Sequence, residues 1–196
     1  MRNIGVVLFD GVEELDWVGP WEVLSTWSMY WPDDGVTVAT VADSTAPLRC
    51  AKGARVIPDR SWDDDPNFDV LVIPGGVGSR ERLGNGDALH ARLRSHFEAQ
   101  ALLVSVCTGS LILAAAGLLR NRPATTHRAA LGELQQLDPT IAIQADSRYV
   151  DDGEIITAAG VSAGIDVSLH LVRRLHSVER AQAIRRGIQY DPAPPV

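Results

Sequence analysis

Apolar residues in this chain fall into short, nearly unbroken runs: Ile4-Gly5-Val6-Val7-Leu8-Phe9, Val36-Thr37-Val38-Ala39-Thr40-Val41-Ala42, Asp69-Val70-Leu71-Val72-Ile73 and Ala101-Leu102-Leu103-Val104-Ser105-Val106. Runs of this length, rich in β-branched residues and apolar on both faces, predict strands buried in a parallel sheet. Between them the pattern changes to a helical period. Leu89, Leu93 and Phe97 recur at i, i+4 and i+8 within 87–100, the stripe of an amphipathic helix. Pro20 is well placed to open a helix running through Trp21 towards Tyr30. Further helices are expected over 128–137 and 165–175 and after Ser177, a natural cap. A short hairpin is expected over 49–57 with Gly53 at its turn, and an acidic helix start at Ser61-Trp62-Asp63-Asp64-Asp65. Late in the chain Arg148 to Val150 and Glu154 to Thr157 read as an antiparallel pair joined at Asp151-Asp152-Gly153. The tail from Tyr190 to Pro195 is expected to be extended on the surface. Strands alternating with helices, without a long linker or repeat, predict one α/β domain over residues 1–196. Its architecture is a three-layer sandwich, flavodoxin-like, with a mostly parallel central sheet flanked by helices.

The transition after Val106 is abrupt. The strand becomes the Ala/Leu-rich helix of Leu111 to Ala116 across only Cys107-Thr108-Gly109-Ser110. Such a turn puts the thiol on a nucleophile elbow at a helix N-terminus. There the helix dipole and free N–H groups favour a thiolate, so Cys107 is expected to be acidic. Asp16 is expected in the loop just past the first strand, on the sheet edge where active sites of open α/β folds collect. Pro74-Gly75-Gly76-Val77-Gly78 follows another strand. It lacks the lysine of a phosphate loop and does not continue as a dinucleotide fingerprint. Backbone N–H groups at Gly75 and Gly76 are therefore candidates for an oxyanion pocket.

Composition narrows the possibilities. The 196 residues are 45% hydrophobic and 22% charged with a net charge of −7, which fits a globular protein and argues against a nucleic-acid partner. Two cysteines, Cys50 and Cys107, form no disulfide framework and no zinc motif, so a reducing, cytoplasmic setting is expected. Cys50 reads as structural, although Arg49 and Lys52 beside it could make it reactive. The start of the chain is too short and wrongly bordered for a signal peptide, and no apolar run is long enough to span a membrane.

Val72-Ile73-Pro74-Gly75-Gly76, Val106-Cys107-Thr108-Gly109 and Ala158-Ala159-Gly160-Val161-Ser162-Ala163-Gly164-Ile165-Asp166 resemble the ThiJ/PfpI superfamily, whose fold is like that of class I glutamine amidotransferases. Gly11-Val12-Glu13-Glu14-Leu15-Asp16, followed by Val18-Gly19-Pro20, resembles the isonitrile hydratase branch and the sensor domains of AraC-type regulators. The DNA-binding half of such regulators is expected to be missing from a chain that ends at Val196. The resemblance implies Cys107 as nucleophile, Asp16 as its acid/base partner and Thr108 beside it on the elbow. It also implies neither metal nor organic cofactor, a small-molecule isonitrile substrate and a homodimer. Trp17, Val18 and Trp21 are candidates for an apolar pocket wall. His127 matches a recurring family histidine and is read as structural. The alternatives are a glyoxalase- or deglycase-like enzyme acting on 2-oxoaldehydes, and a redox or ligand sensor that uses Cys107 without turnover.

Overall fold

The computed structural model describes residues 1–192, so Ala193 onward of the expected tail lies outside the described residues. The elements in chain order are β1 (Arg2–Val7), α1 (Glu14–Tyr30), β2 (Val36–Ala42), β3 (Leu48–Arg49), β4 (Arg55–Val56), β5 (Arg60–Ser61) and β6 (Val70–Ile73). There follow α2 (Ala88–Glu98), β7 (Leu102–Val106), α3 (Gly109–Ala115), β8 (Pro123–Ala124), α4 (Leu131–Leu137) and β9 (Ala142–Ile143). β10 (Tyr149–Asp151), β11 (Ile155–Ala158), α5 (Ala163–Leu175) and α6 (Val178–Gly187) complete the fold.

Seven strands form one sheet in the order β10-β11-β7-β6-β1-β2-β5. Every pairing in it is parallel except β10 with β11. Its five central strands, β2-β1-β6-β7-β11, have the doubly wound order in which the chain reverses direction of winding between β1 and β6. Side chains alternate across the strands and fill two apolar layers. Leu71, Ile73, Leu103 and Ile155 pack with Leu89, Leu93 and Leu111 to Leu113 on one face. Val72, Val104, Val106 and Ile156 pack with Val23, Leu24, Trp27, Val167 and Leu171 on the other. Both faces are thus covered, which is why the central strands read as continuous apolar runs.

The hairpin near Gly53, the capped acidic turn at Ser61 and the β10–β11 pair form where expected. The first helix differs. It begins at Glu14, so Pro20 is interior to α1 and Asp16 lies in the first helical turn rather than in a loop. Packing accounts for the extension. Gly19 abuts Ile165, and Pro20 abuts Gly164, so the absence of one side chain on each helix lets α1 and α5 approach closely. That contact offsets the backbone hydrogen bond that an interior proline forfeits. Two two-residue strands, β5 and the β8 that pairs with β9, carry no sequence signal of their own.

Candidate active site

Three strand ends converge at the C-terminal edge of the sheet. The segment after β1 delivers Asp16, the loop after β6 delivers Gly75 and Gly76, and the turn after β7 delivers Cys107 and Thr108. The elbow is tight enough to force Cys107 into a left-handed conformation with φ 56°, strain that a non-glycine residue tolerates only where its surroundings hold it. Those surroundings are visible. The Cys107 N–H faces the carbonyls of Ala158 at 3.1 Å and Ala159 at 3.0 Å. Its carbonyl accepts from Thr126 Oγ1 at 2.8 Å and Ser110 Oγ at 3.2 Å. Gly109 is required because a Cβ there would run into the Ile73 carbonyl.

Asp16 is sealed from solvent, at 0% exposure. Its Oδ2 accepts the Gly75 N–H at 3.0 Å, while Oδ1 has no full hydrogen bond. Burial pushes the carboxyl from its ordinary 3.8 up to about 7, against smaller downward pulls from the Gly75 N–H and the neighbouring Cys107 thiol. The thiol is 7% exposed. Burial first, and then the charge of Asp16, push it up to about 11, although the Val161 and Thr108 N–H groups stabilise the sulfur. The acidic thiolate expected from a helix N-terminus is therefore overturned. α3 is only seven residues long and buried from Gly109 to Ala114, so desolvation outweighs its dipole. The two groups share a site and titrate as a pair. On the first proton lost near neutrality the carboxyl, rather than the sulfur, takes the negative charge.

A second correction concerns the glycine loop. The Gly75 N–H is committed to Asp16, and the Gly76 N–H donates to Thr108 Oγ1 at 3.0 Å. These donors position the acid and the elbow and do not stand free as an oxyanion pocket. Gly75 must be glycine because a Cβ would strike Thr108. Ser79 joins the same network and Val161 supplies an N–H to the sulfur; Val161 lies in the family-like motif Ala158 to Asp166, whereas Ser79 had no sequence signal.

Trp17, Val18 and Trp21 all lie on α1, one to five residues after Asp16. Trp17 packs against both apolar layers, with its N–H turned towards the Cys50 thiol. Trp21 packs on the layer beneath α1, and Val18 is 38% exposed. A cleft of about 430 Å³ adjoins the sulfur's surroundings at Val161 and is bordered by Thr126, His127, Arg148, Gly160 and Ser162. A larger cavity of about 480 Å³ lies at the opposite edge of the sheet, beside Arg2 and Leu102, remote from the thiol. The His127 ring rests against Gly160, and Nδ1 accepts the Ala129 N–H at 3.2 Å at the start of a helical turn. Cys50 is buried in the β3–β4 hairpin. Burial together with Glu14 and Asp10 raises its pKa, so the anticipated activation by basic neighbours does not occur. Among the described residues no cluster of His, Cys, Asp and Glu is arranged to hold a metal ion, and no helix is long and apolar enough to cross a membrane.

Comparison with known proteins agrees with this geometry. An isonitrile hydratase of Pseudomonas putida is 38% identical over 194 residues, covering 98% of this chain and 80% of that protein. A glutathione-independent glyoxalase of Caenorhabditis elegans is 27% identical over 161 residues, covering 79% of this chain and 81% of its own. The crystal structure of a ThiJ/PfpI family protein from Pseudomonas syringae superposes with a TM-score of 0.88 at 30% identity, covering all of this chain (100%) and 77% of the other. The DJ-1/PfpI family model matches residues 2–174. A doubly wound sheet, a strained cysteine elbow and a buried acid beside it thus accompany a match over most of the sequence, and the chain belongs to the DJ-1/PfpI family.

Proposed function

We propose that this protein is an isonitrile hydratase, adding water to R–N≡C to give an N-substituted formamide. The observation that carries the reading is a solvent-sealed Asp16 whose carboxyl ionises at about 7 beside a neutral thiol on a strained elbow. The 38% identity to the Pseudomonas putida enzyme supports it. A carboxyl poised near neutrality both accepts and donates protons at the operating pH.

In the proposed sequence Asp16 takes the thiol proton as Cys107 Sγ bonds to the terminal carbon of the isonitrile. The same proton then passes to that carbon, leaving a thioimidate, Cys–S–CH=N–R. Water adds to the thioimidate carbon while Asp16 moves its proton to nitrogen. The C–S bond breaks, the hydroxyl proton returns to sulfur through Asp16, and HC(=O)–NH–R leaves. Each turnover consumes one isonitrile and one water and restores both residues. Thr108 holds the elbow against the glycine loop, and the cleft beside Val161 is the place for R. No step calls on a metal or an organic cofactor. A cytoplasmic homodimer without nucleic-acid or membrane partners belongs to the same proposal.

Proton NMR with a small alkyl isonitrile tests the reaction directly. The formamide proton is expected with the wild type and not with Cys107→Ala, whose circular dichroism should match the wild type. Absence of product from fully reduced protein would overturn the assignment and favour the 2-oxoaldehyde reading. That alternative takes its support from the glyoxalase relative, but His127 is occupied at Ala129 and makes no hydrogen bond to the thiol.

A further inference from the structure

Ser79 is buried at 0% exposure in the turn Val77–Leu83, immediately after the glycine loop. Its Oγ lies 2.7 Å from the Gly76 carbonyl and 2.9 Å from Thr108 Oγ1, which itself accepts the Gly76 N–H at 3.0 Å. Ser79 Oγ thus sits as a donor between the Gly76 carbonyl and Thr108 Oγ1, and the Thr108 hydroxyl itself faces the same carbonyl at 3.3 Å. Both peptide groups flanking Gly76 are held by this closed set of contacts. Gly76 needs such a clamp because it sits at φ 124° and ψ 179°, and a glycine has the widest freedom to leave that conformation. The other anchors of the loop, Glu13 N–H to the Gly75 carbonyl and Gly78 N–H to the Gly11 carbonyl, tie it to the segment preceding Asp16. Thr108 Oγ1 ties it to the cysteine elbow, and Ser79 braces that tie by bonding to both the Gly76 carbonyl and Thr108 Oγ1.

We propose that Ser79 is a positioning residue of the active site, locking the Gly76 peptides against Thr108 so that the adjacent Gly75 N–H stays aimed at Asp16. Ser79 touches neither Asp16 nor Cys107 in this role. It acts through the loop, fixing the distance between the acid and the thiol.

The test is the rate of Cys107 alkylation by iodoacetamide from pH 5 to 9, read from the mass of the Cys107 peptide in the full-length protein. It requires no isonitrile turnover, so it succeeds or fails independently of the proposed reaction. Cys107 is the titratable group that bears on Asp16, and ionised Asp16 takes the thiol proton as the sulfur attacks the reagent, so the rate rises as Asp16 ionises. Loosening the Gly75 N–H removes a donor that favours the carboxylate. With Ser79→Ala the midpoint is therefore expected to rise by about half a pH unit to one. Thr108→Val should move it the same way and Thr108→Ser should restore it. Ser168→Ala, which removes a buried hydroxyl bonded within α5 to the Gly164 carbonyl, should leave it in place. A folded Ser79→Ala with the wild-type profile would overturn the proposal, as would an equal shift in Ser168→Ala. Should Ser79→Ala fail to fold, the contrast between Thr108→Val and Thr108→Ser decides the matter: equal profiles would refute the clamp.

Discussion

Asp16→Asn should stabilise the protein at pH 8 by more than twice as much as it does at pH 5. The side chain is fully buried and its carboxyl is raised from 3.8 to about 7. A carboxyl whose pKa is higher in the folded state costs stability when ionised. That cost is absent below the unfolded pKa, grows as pH rises, and is complete above the folded one. Here the window runs from about pH 4 to about pH 7. A difference of about 3 pH units at about 1.4 kcal/mol each gives ~4 kcal/mol at pH 8. The amide replaces the ionised group with a neutral one of the same shape. Its oxygen keeps the Gly75 N–H, and its NH2 takes the side that makes no full hydrogen bond. For a domain of this size ~4 kcal/mol corresponds to roughly 10 °C in Tm. The assay is thermal unfolding of both proteins at pH 5 and pH 8, with the difference between them compared across pH so that other titrating groups cancel. A difference in Tm that is the same at both pH values would refute the reasoning, because the carboxyl would then carry no burial cost. Stability given up at a site that must ionise for function is the usual trade-off at active sites.

The pH dependence of turnover should share this origin. Since Asp16 must be ionised to take the thiol proton, kcat/KM for an alkyl isonitrile is expected to rise through a midpoint near 7; a midpoint near 4 would place the functional carboxyl elsewhere. The elbow itself offers the third test. Gly109→Ala drives a methyl into the Ile73 carbonyl of the neighbouring strand end, so a loss of about 3 kcal/mol or more, with insoluble expression, is expected. A Tm within two degrees of the wild type would mean that the elbow has room the structure does not show.

Much of this protein is legible without coordinates, and the reason is local. Buried parallel strands must be apolar on both faces, so β1, β2, β6 and β7 announce themselves as continuous runs. The abrupt passage from Val106 to Leu111 leaves the chain no alternative to a tight elbow, and the cysteine on it is identified by position alone. The family motifs then carry Asp16 to the same strand edge. What the sequence could not decide depends on groups distant along the chain. Whether Pro20 opens a helix or sits inside one was settled by the contacts of Gly19 and Pro20 on α5, 144 to 146 residues away. The acidity of Cys107 was misjudged from its helix because its sign depends on burial and on Asp16, 91 positions earlier. The glycine N–H groups could have served a substrate, but Asp16 and Thr108 occupy them. Local pattern thus determined the elements and placed the cysteine on its elbow. Tertiary structure decided protonation and which donors remain free, because both are set by desolvation and by partners that only folding brings within reach.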